Sequence, residues 1–215
     1  MVVELRARPS TGSWMKAAWT LATVALVALA MAFADRPIAS YAHDALHRPG
    51  WAVILTKIAI PAAPLIVMAL VGLLAVGATW MIDRRLTQGW RTVLAAACAT
   101  LFAIFAVFAL KQVFGRMWPE TWVDNNPSWI RDHKFGFLPF HGGPGYESFP
   151  SGHTTRITAP FAVLWQRLPR FRLLWVLPPL LVMAGLLAAD FHWLSDCLAG
   201  IWLGAACAWV VLNFV

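Results

Sequence analysis

Long apolar runs are the feature that most limits how this chain can fold. A helix of roughly 20 apolar residues crosses the hydrocarbon core of a bilayer. The pattern predicts an all-α protein, a six-transmembrane helix bundle, with residues 1–215 forming a single integral membrane domain. The six runs lie at about Ala17–Ala34, Ile58–Ile82, Thr92–Leu110, Thr155–Leu168 (short), Leu173–Ala189 and Cys197–Val215.

Composition excludes two other classes of protein. The chain is 60% hydrophobic and 13% charged, which is too apolar for a disordered chain and for an ordinary soluble domain. Its net charge of +7 arises from basic residues gathered at the ends of the apolar runs, a pattern typical of membrane topology. We therefore expect the lipid bilayer as partner and no nucleic acid. Cys98, Cys197 and Cys207 lie in apolar surroundings, which favours buried packing over a disulfide framework.

Six spans place both termini on one side of the membrane. Nine basic residues share that side, which we assign to the cytoplasm, whereas eight lie on the other. Because these counts are nearly balanced, the positive-inside rule assigns the orientation only if the eight residues on the other side have another role, such as holding an anion. The chain is then expected in the cytoplasmic (inner) membrane, with the long loop between helices 3 and 4 facing the periplasm or exterior. The nine are Arg6, Arg8, Lys16, Arg84, Arg85, Arg91, Arg167, Arg170 and Arg172.

The segment 35–50, which follows the first run, has apolar residues at helical spacing. It predicts a short helix lying in the membrane interface. His43 and His47 are four residues apart, the spacing of two metal ligands, but no third ligand is evident. Interfacial polar residues are therefore the preferred interpretation of this pair.

A first polar cluster follows the third run, where Lys111 and Arg116 precede Trp118-Pro119. The side chains of Lys111 and Arg116 could extend to lipid headgroups. Alternatively they form a phosphate clamp, because arginine offers a bidentate fork and lysine a point charge.

The second cluster, Ser148 to Thr155, lies where the long loop enters the fourth run. Pro150 and Gly152 shape a turn, and Ser151, Gly152 and the next amides then begin a helix, whose N-terminus favours an anion. His153 could exchange a proton near neutral pH or serve as a polar cap.

The third cluster contains His192 and Asp196, which are four residues apart and so share one helix face. A carboxylate bonded to one ring nitrogen fixes the tautomer and leaves the other nitrogen nucleophilic. The simpler interpretation is that His192 and Asp196 form a hydrogen-bonded pair that only stabilises the end of a helix. Topology brings all three clusters to one face, and together they favour phosphoryl transfer through a phosphohistidine, with cations rather than a metal neutralising the phosphate.

These motifs resemble the type 2 phosphatidic acid phosphatase (PAP2) superfamily. The family pattern is a Lys…Arg-Pro stretch, Pro-Ser-Gly-His and Ser-Arg…His-x3-Asp. This chain has Lys111…Pro119, Pro150-Ser151-Gly152-His153 and His192-x3-Asp196, so the motif core spans residues 111–200. The family also has a six-helix membrane form.

The resemblance implies a role for each residue and no cofactor. His192 would be the nucleophile, Asp196 its orienter, and His153 the general acid that later activates water. Lys111, Ser151 and Gly152 would hold the phosphate.

Two departures remove arginines from the pattern. Trp118 stands where the first motif usually has arginine, and Gly185-Leu186 where the third has Ser-Arg. We expect Arg116 to compensate in the first motif. Arg156 is the first choice for the second replacement, because a charge at the start of a span is costly without a function; Arg131 and Lys134 are alternatives.

The resulting prediction is a membrane lipid phosphatase acting on a lipid phosphate monoester or diphosphate. Polyprenyl diphosphate, phosphatidate, phosphatidylglycerol phosphate and the phosphates of lipid A all fit the family. A lipid phosphotransferase using the same site is one alternative. A catalytically weakened lipid-binding or lipid-translocating protein, which the missing arginines suggest, is another. The sequence leaves the oligomeric state open.

Overall fold

The computed structural model describes residues 11–57, 72, 74, 77, 78 and 87–215, which form helices joined by loops. Before the long loop, these residues form a first helical stretch, a short helix and a long helix that ends at Phe114. Three long helices follow the loop. The helices are α1 (Thr11–Leu29), α2 (Asp35–Tyr41), α3 (Gly50–Lys57), α4 (Gln88–Phe114), α5 (Trp129–Asp132), α6 (Gly152–Arg167), α7 (Arg172–Ala188) and α8 (Leu194–Leu212).

The helices confirm that this is a membrane protein, although they do not establish six spans. Four helical stretches within the described ranges are long and apolar enough to cross a bilayer. The expected run at 58–82 lies almost wholly outside the described residues. The expected fourth span corresponds to α6, whose 16 residues extend roughly 24 Å, short of a hydrocarbon core about 30 Å thick. The four stretches are Trp14–Leu46, Gln88–Phe114, Pro169–Ala188 and Leu194–Leu212.

The first helical stretch is longer than the sequence predicts. We expected the span to end near Ala34 and a separate interfacial helix to cover 35–50. Instead, π-helical turns at Ala30–Ala34 and Ala42–Leu46 join α1 and α2 into one stretch of 33 residues. The stretch continues because the carboxylate of Asp35 is buried against protein partners and does not face water at a helix end.

Small residues bring α4, α6 and α8 close together. Buried alanines from all three helices form the centre of the bundle. A Cβ added to Gly200 would lie 2.1 Å from Oγ1 of Thr154, and one added to Gly204 would lie 2.5 Å from the carbonyl oxygen of Thr155. Close approach through small residues is the usual way in which membrane helices gain packing energy. This contact fixes where the first turn of α6 lies relative to α8.

The long loop is folded over the end of the bundle at which α4 ends and α6 and α8 begin. Gly115 closes α4 in the left-handed conformation, with φ of 58°, and its missing Cβ gives room to the carbonyl oxygen of Leu138. Further along, the side chain of Asn126 accepts hydrogen bonds from the amides of Trp122 and Val123. These local contacts give the loop a defined shape.

We predict that Gly204→Ala destabilises the protein by about 1–3 kcal/mol. The new methyl group would meet backbone atoms of α6, which cannot move without separating the helices. The free energy of unfolding in detergent measures the effect. Gly89→Ala is the matched control, because it adds the same methyl group to a helix where the nearest atom is 3.9 Å away. Equal stability of the two variants would contradict the packing argument.

Candidate active site

His192 and Asp196 form a buried pair in the turn between α7 and α8. Nδ1 of His192 lies 3.1 Å from Oδ2 of Asp196, and the same oxygen accepts the amide of Trp193. Because a carboxylate only accepts, Nδ1 carries the proton and Nε2 is the free ring nitrogen. Burial lowers the pKa of His192 below its ordinary value of 6.5, and the hydrogen bond to Asp196 opposes part of this decrease. The pair has the protonation that a nucleophilic histidine needs.

His153 occupies the first turn of α6, near His192. The centroids of the two rings are 6.3 Å apart, and their planes are inclined by 67°. This separation allows both rings to reach one phosphoryl group. Ser151 caps the helix, since its Oγ accepts the amide of Thr154. The amides of Gly152 and His153 have no acceptor within the helix, so they are available to an anion.

Two cations converge on Gly152. The position of a Cβ on this glycine lies 3.6 Å from Nη2 of Arg156 and 4.0 Å from Nζ of Lys111. Nε of Arg156 donates to the carbonyl oxygen of Gly152, which folds the side chain back towards the helix start. In the described part of the chain, Nε makes the only side-chain hydrogen bond of Arg156, and Nζ of Lys111 donates to no protein acceptor. Both cations are therefore placed to hold an anion at the start of α6.

The structure places Arg116 differently from our expectation. Its guanidinium is fully buried and donates to Oδ1 of Asp196 at 2.5 Å, to Oγ of Ser195 at 2.6 Å and to Oδ2 of Asp35 at 2.7 Å. A guanidinium committed to two carboxylates is not free to clamp a phosphate. We therefore withdraw the phosphate-holding role of Arg116, which lies behind the pair of His192 and Asp196.

Trp118, which stands where the family motif has arginine, covers His192. The two ring centroids are 4.9 Å apart, and the indole Nε1 donates to the carbonyl oxygen of Pro144. Nζ of Lys111 lies 5.4 Å from the same indole ring. An aromatic ring thus stands beside His192 where the family pattern has a cation.

Helix packing occupies both positions of the missing Ser-Arg pair. A Cβ on Gly185 would lie 2.6 Å from Cβ of Leu55 and 2.8 Å from the carbonyl oxygen of Ala52, because α3 packs directly on α7. Leu186 is fully buried in the apolar core. Of the two alternative replacements, Arg131 bonds to Asp132 and to neighbouring asparagines in the loop.

Three buried polar residues of the site had no role assigned to them from the sequence. Ser148 donates to Oδ2 of Asp196 at 2.5 Å, and Ser195 contacts both Arg116 and Asp35. Ser195 is next to Asp196 in the chain, but no spacing or motif in the sequence indicates that it belongs to the site. Asp35 carried the clearest signal, since an acid directly after an apolar run needs a partner, although we attributed it to the end of the span.

The comparisons define the class of the protein. The family model for the PAP2 superfamily matches residues 91–215, more than half of the chain, and the chain belongs to this superfamily. The matched region includes most of α4, the long loop and all the residues that the three sequence motifs contributed.

Two similar curated proteins are lipid A phosphatases by name. The chain is 33% identical over 96 residues to a lipid A 1-phosphatase of Rhizobium johnstonii, which covers 45% of this chain and 36% of that protein. It is 33% identical over 95 residues to a lipid A 1-phosphatase of Rhizobium etli, covering 44% and 38%. The chain thus spans well under half the length of these relatives.

A solved structure shares the fold. It is the crystal structure of a transmembrane PAP2 type phosphatidylglycerolphosphate phosphatase from Bacillus subtilis, with a TM-score of 0.54 and 19% identity. The similarity covers 93% of this chain and 94% of that one.

We predict that Arg156→Gln and Lys111→Gln each weaken the binding of inorganic orthovanadate by about 10–100-fold, as expected for loss of one charged hydrogen bond worth about 1.5–3 kcal/mol. Isothermal titration of purified protein in detergent measures the dissociation constant. Arg131→Gln is the control, because this arginine bonds within the loop. Unchanged vanadate binding in both Gln variants would refute the proposed anion site.

Proposed function

We propose that this protein is an integral membrane phosphatase that hydrolyses a lipid phosphate monoester or diphosphate through a phosphohistidine. The observation that supports it most is the placement of a carboxylate-oriented His192 next to His153, with two cations at the same helix start. The motif sequence and the family membership agree with this chemistry.

The first step transfers the phosphoryl group to the enzyme. Nε2 of His192 attacks phosphorus, and the bond between phosphorus and the lipid oxygen breaks. His153 donates a proton to the departing oxygen, so the lipid leaves as a neutral alcohol or a protonated phosphate. Asp196 holds the proton on Nδ1 and stabilises the positive charge that develops on the His192 ring.

The second step returns the enzyme to its starting state. His153, now neutral, takes a proton from water, whose oxygen attacks phosphorus. The N–P bond breaks, and phosphate and neutral His192 are released. Lys111, Arg156 and the first-turn amides of α6 neutralise the phosphoryl oxygens in both steps. Their charge and position supply the role that a metal ion has in other phosphatases.

Lipid A phosphates are the first substrates to test among the family's lipid phosphates. Both similar curated proteins are named for removal of the 1-phosphate of lipid A. Their similarity covers less than half of each chain. Phosphatidylglycerol phosphate, phosphatidate and polyprenyl diphosphate complete the panel.

We place the protein in the cytoplasmic membrane with the site on the outer side. Lys16, Arg167 and Arg172 lie at the helix ends opposite the site, where cytoplasmic cations belong. Two of the cations at the other end, Lys111 and Arg156, converge on Gly152 and so have the separate role that this orientation needs. Both termini are then cytoplasmic.

The decisive experiment compares wild type with His192→Ala on the lipid phosphate panel. We expect the wild type to release inorganic phosphate from at least one lipid and the variant to lose about 10³-fold or more of this rate, as when a covalent nucleophile is removed. His133→Ala, a histidine in the loop beside Trp129, is the matched control. Phosphate appearing on a second lipid would identify a phosphotransferase, and no reaction on any lipid would favour a binding protein.

The acid limb of the kcat/KM profile should lie below pH 6.5. Burial disfavours the imidazolium form, so the pKa of His192 is depressed and its neutral, nucleophilic form persists as the pH falls below the ordinary value. The profile is measured with one lipid phosphate, whose own ionisation is followed by ³¹P NMR and subtracted. An acid limb of the enzyme above pH 6.5 would contradict neutral His192 as the attacking group.

A further inference from the structure

We propose that Asp35 is a positioning residue for His192, acting through Arg116 and through the first turn of α8. This inference rests on the proposed phosphatase function. Asp35 lies outside the region matched by the family model, which begins at residue 91. It belongs to none of the three sequence motifs.

The contacts of Asp35 join the first helical stretch to the catalytic turn. Oδ1 accepts the amide of Ser195 at 2.9 Å, and Oδ2 accepts Nη2 of Arg116 at 2.7 Å and the hydroxyl of Ser195. The amide of Ser195 is one of the first-turn donors that a helix leaves unsatisfied. Asp35 thus fixes the start of α8, one residue before Asp196.

Charge gives Asp35 a second effect on His192. Arg116 is shared between Asp35 and Asp196, and the side chains of all three are fully buried. Two carboxylates and one guanidinium leave one net negative charge, and Asp196 presents it to Nδ1 of His192. Without Asp35, the guanidinium would neutralise Asp196 alone, and nothing in this network would balance the charge that His192 gains when it is phosphorylated.

Other groups near His192 come from the neighbouring elements. Lys111 of α4, Arg116 of the loop and His153 of α6 all disfavour a positive charge on its ring, while Asp196 of α8 favours it. Asp196 therefore acts against several opposing groups. The effect of Asp196 on His192 depends on how much of the carboxylate charge Arg116 cancels. Asp35 controls that fraction, because it shares the same guanidinium.

The experiment follows His192 itself by ¹⁵N NMR of histidine-labelled protein, with the signal identified by its loss in His192→Gln. We expect Asp35→Asn to shift the titration of His192 by about one unit to lower pH. We expect kcat for lipid phosphate to fall about tenfold with little change in KM, since one unit of lost charge stabilisation corresponds to a tenfold rate. Asp44→Asn, an exposed acid further along the same helical stretch, should match wild type in both measurements.

A double variant separates charge from folding. Asp35→Asn with Arg116→Gln restores one net negative charge, so its His192 should titrate close to wild type and above the single variant. If Asp35→Asn does not fold, Arg116→Gln alone should raise the His192 titration, because two carboxylates then remain unopposed. A folded Asp35→Asn protein with a wild-type titration, or an Arg116→Gln protein without the upward shift, would overturn the role of Asp35.

These readouts also distinguish the two proposals. The NMR titration needs no turnover. A wild type that releases no phosphate therefore refutes the phosphatase proposal, while the titration of His192 still tests the role of Asp35. An active wild type with an Asp35→Asn variant that matches Asp44→Asn refutes only the role of Asp35.

Discussion

The arrangement of the site depends on one buried guanidinium that serves two carboxylates. Arg116 joins the first helical stretch, the start of the long loop and the first turn of α8 by bonds no longer than 2.7 Å. A charge this deeply buried is stable only when it is paired, and Arg116 is paired with two carboxylates, although its Nε has no hydrogen-bond partner in the described part of the chain. The network therefore constrains three distant parts of the chain to meet at one point, and the catalytic turn is built on that point.

The histidines differ from Arg116 in how they are held. His192 is fixed by Asp196 and covered by Trp118, whereas His153 is placed by the N-terminal turn of α6. The position of that turn depends on close packing of α6 against Gly200 and Gly204. A local helix contact and a long-range ion network thus define the two sides of one site.

The sequence predicted the family and the residues that meet better than it predicted the geometry in which they meet. Apolar runs and the Pro-Ser-Gly-His and His-x3-Asp patterns are local signals, and they identified the membrane class, the family and the residues that the structure brings together. Arg156 was chosen because a charge at a span start is costly, and its side chain does converge on Gly152. Arg116 was misassigned because its partners Asp35 and Asp196 are far away in the chain, and spacing carries no information about such pairs. The continuation of the first helix past Asp35 was missed for the same reason, because the partners that bury Asp35 are far away in the chain.

The shared guanidinium also affects how the chain is made. During synthesis from the N-terminus, Asp35 emerges long before Arg116, and Arg116 long before Asp196. Each is costly to bury alone, so the ion network closes only when the last helix has been inserted. The nascent bundle therefore acquires its final charge pairing and the buried pair of His192 and Asp196 in the same event, and a chain released before that event has neither.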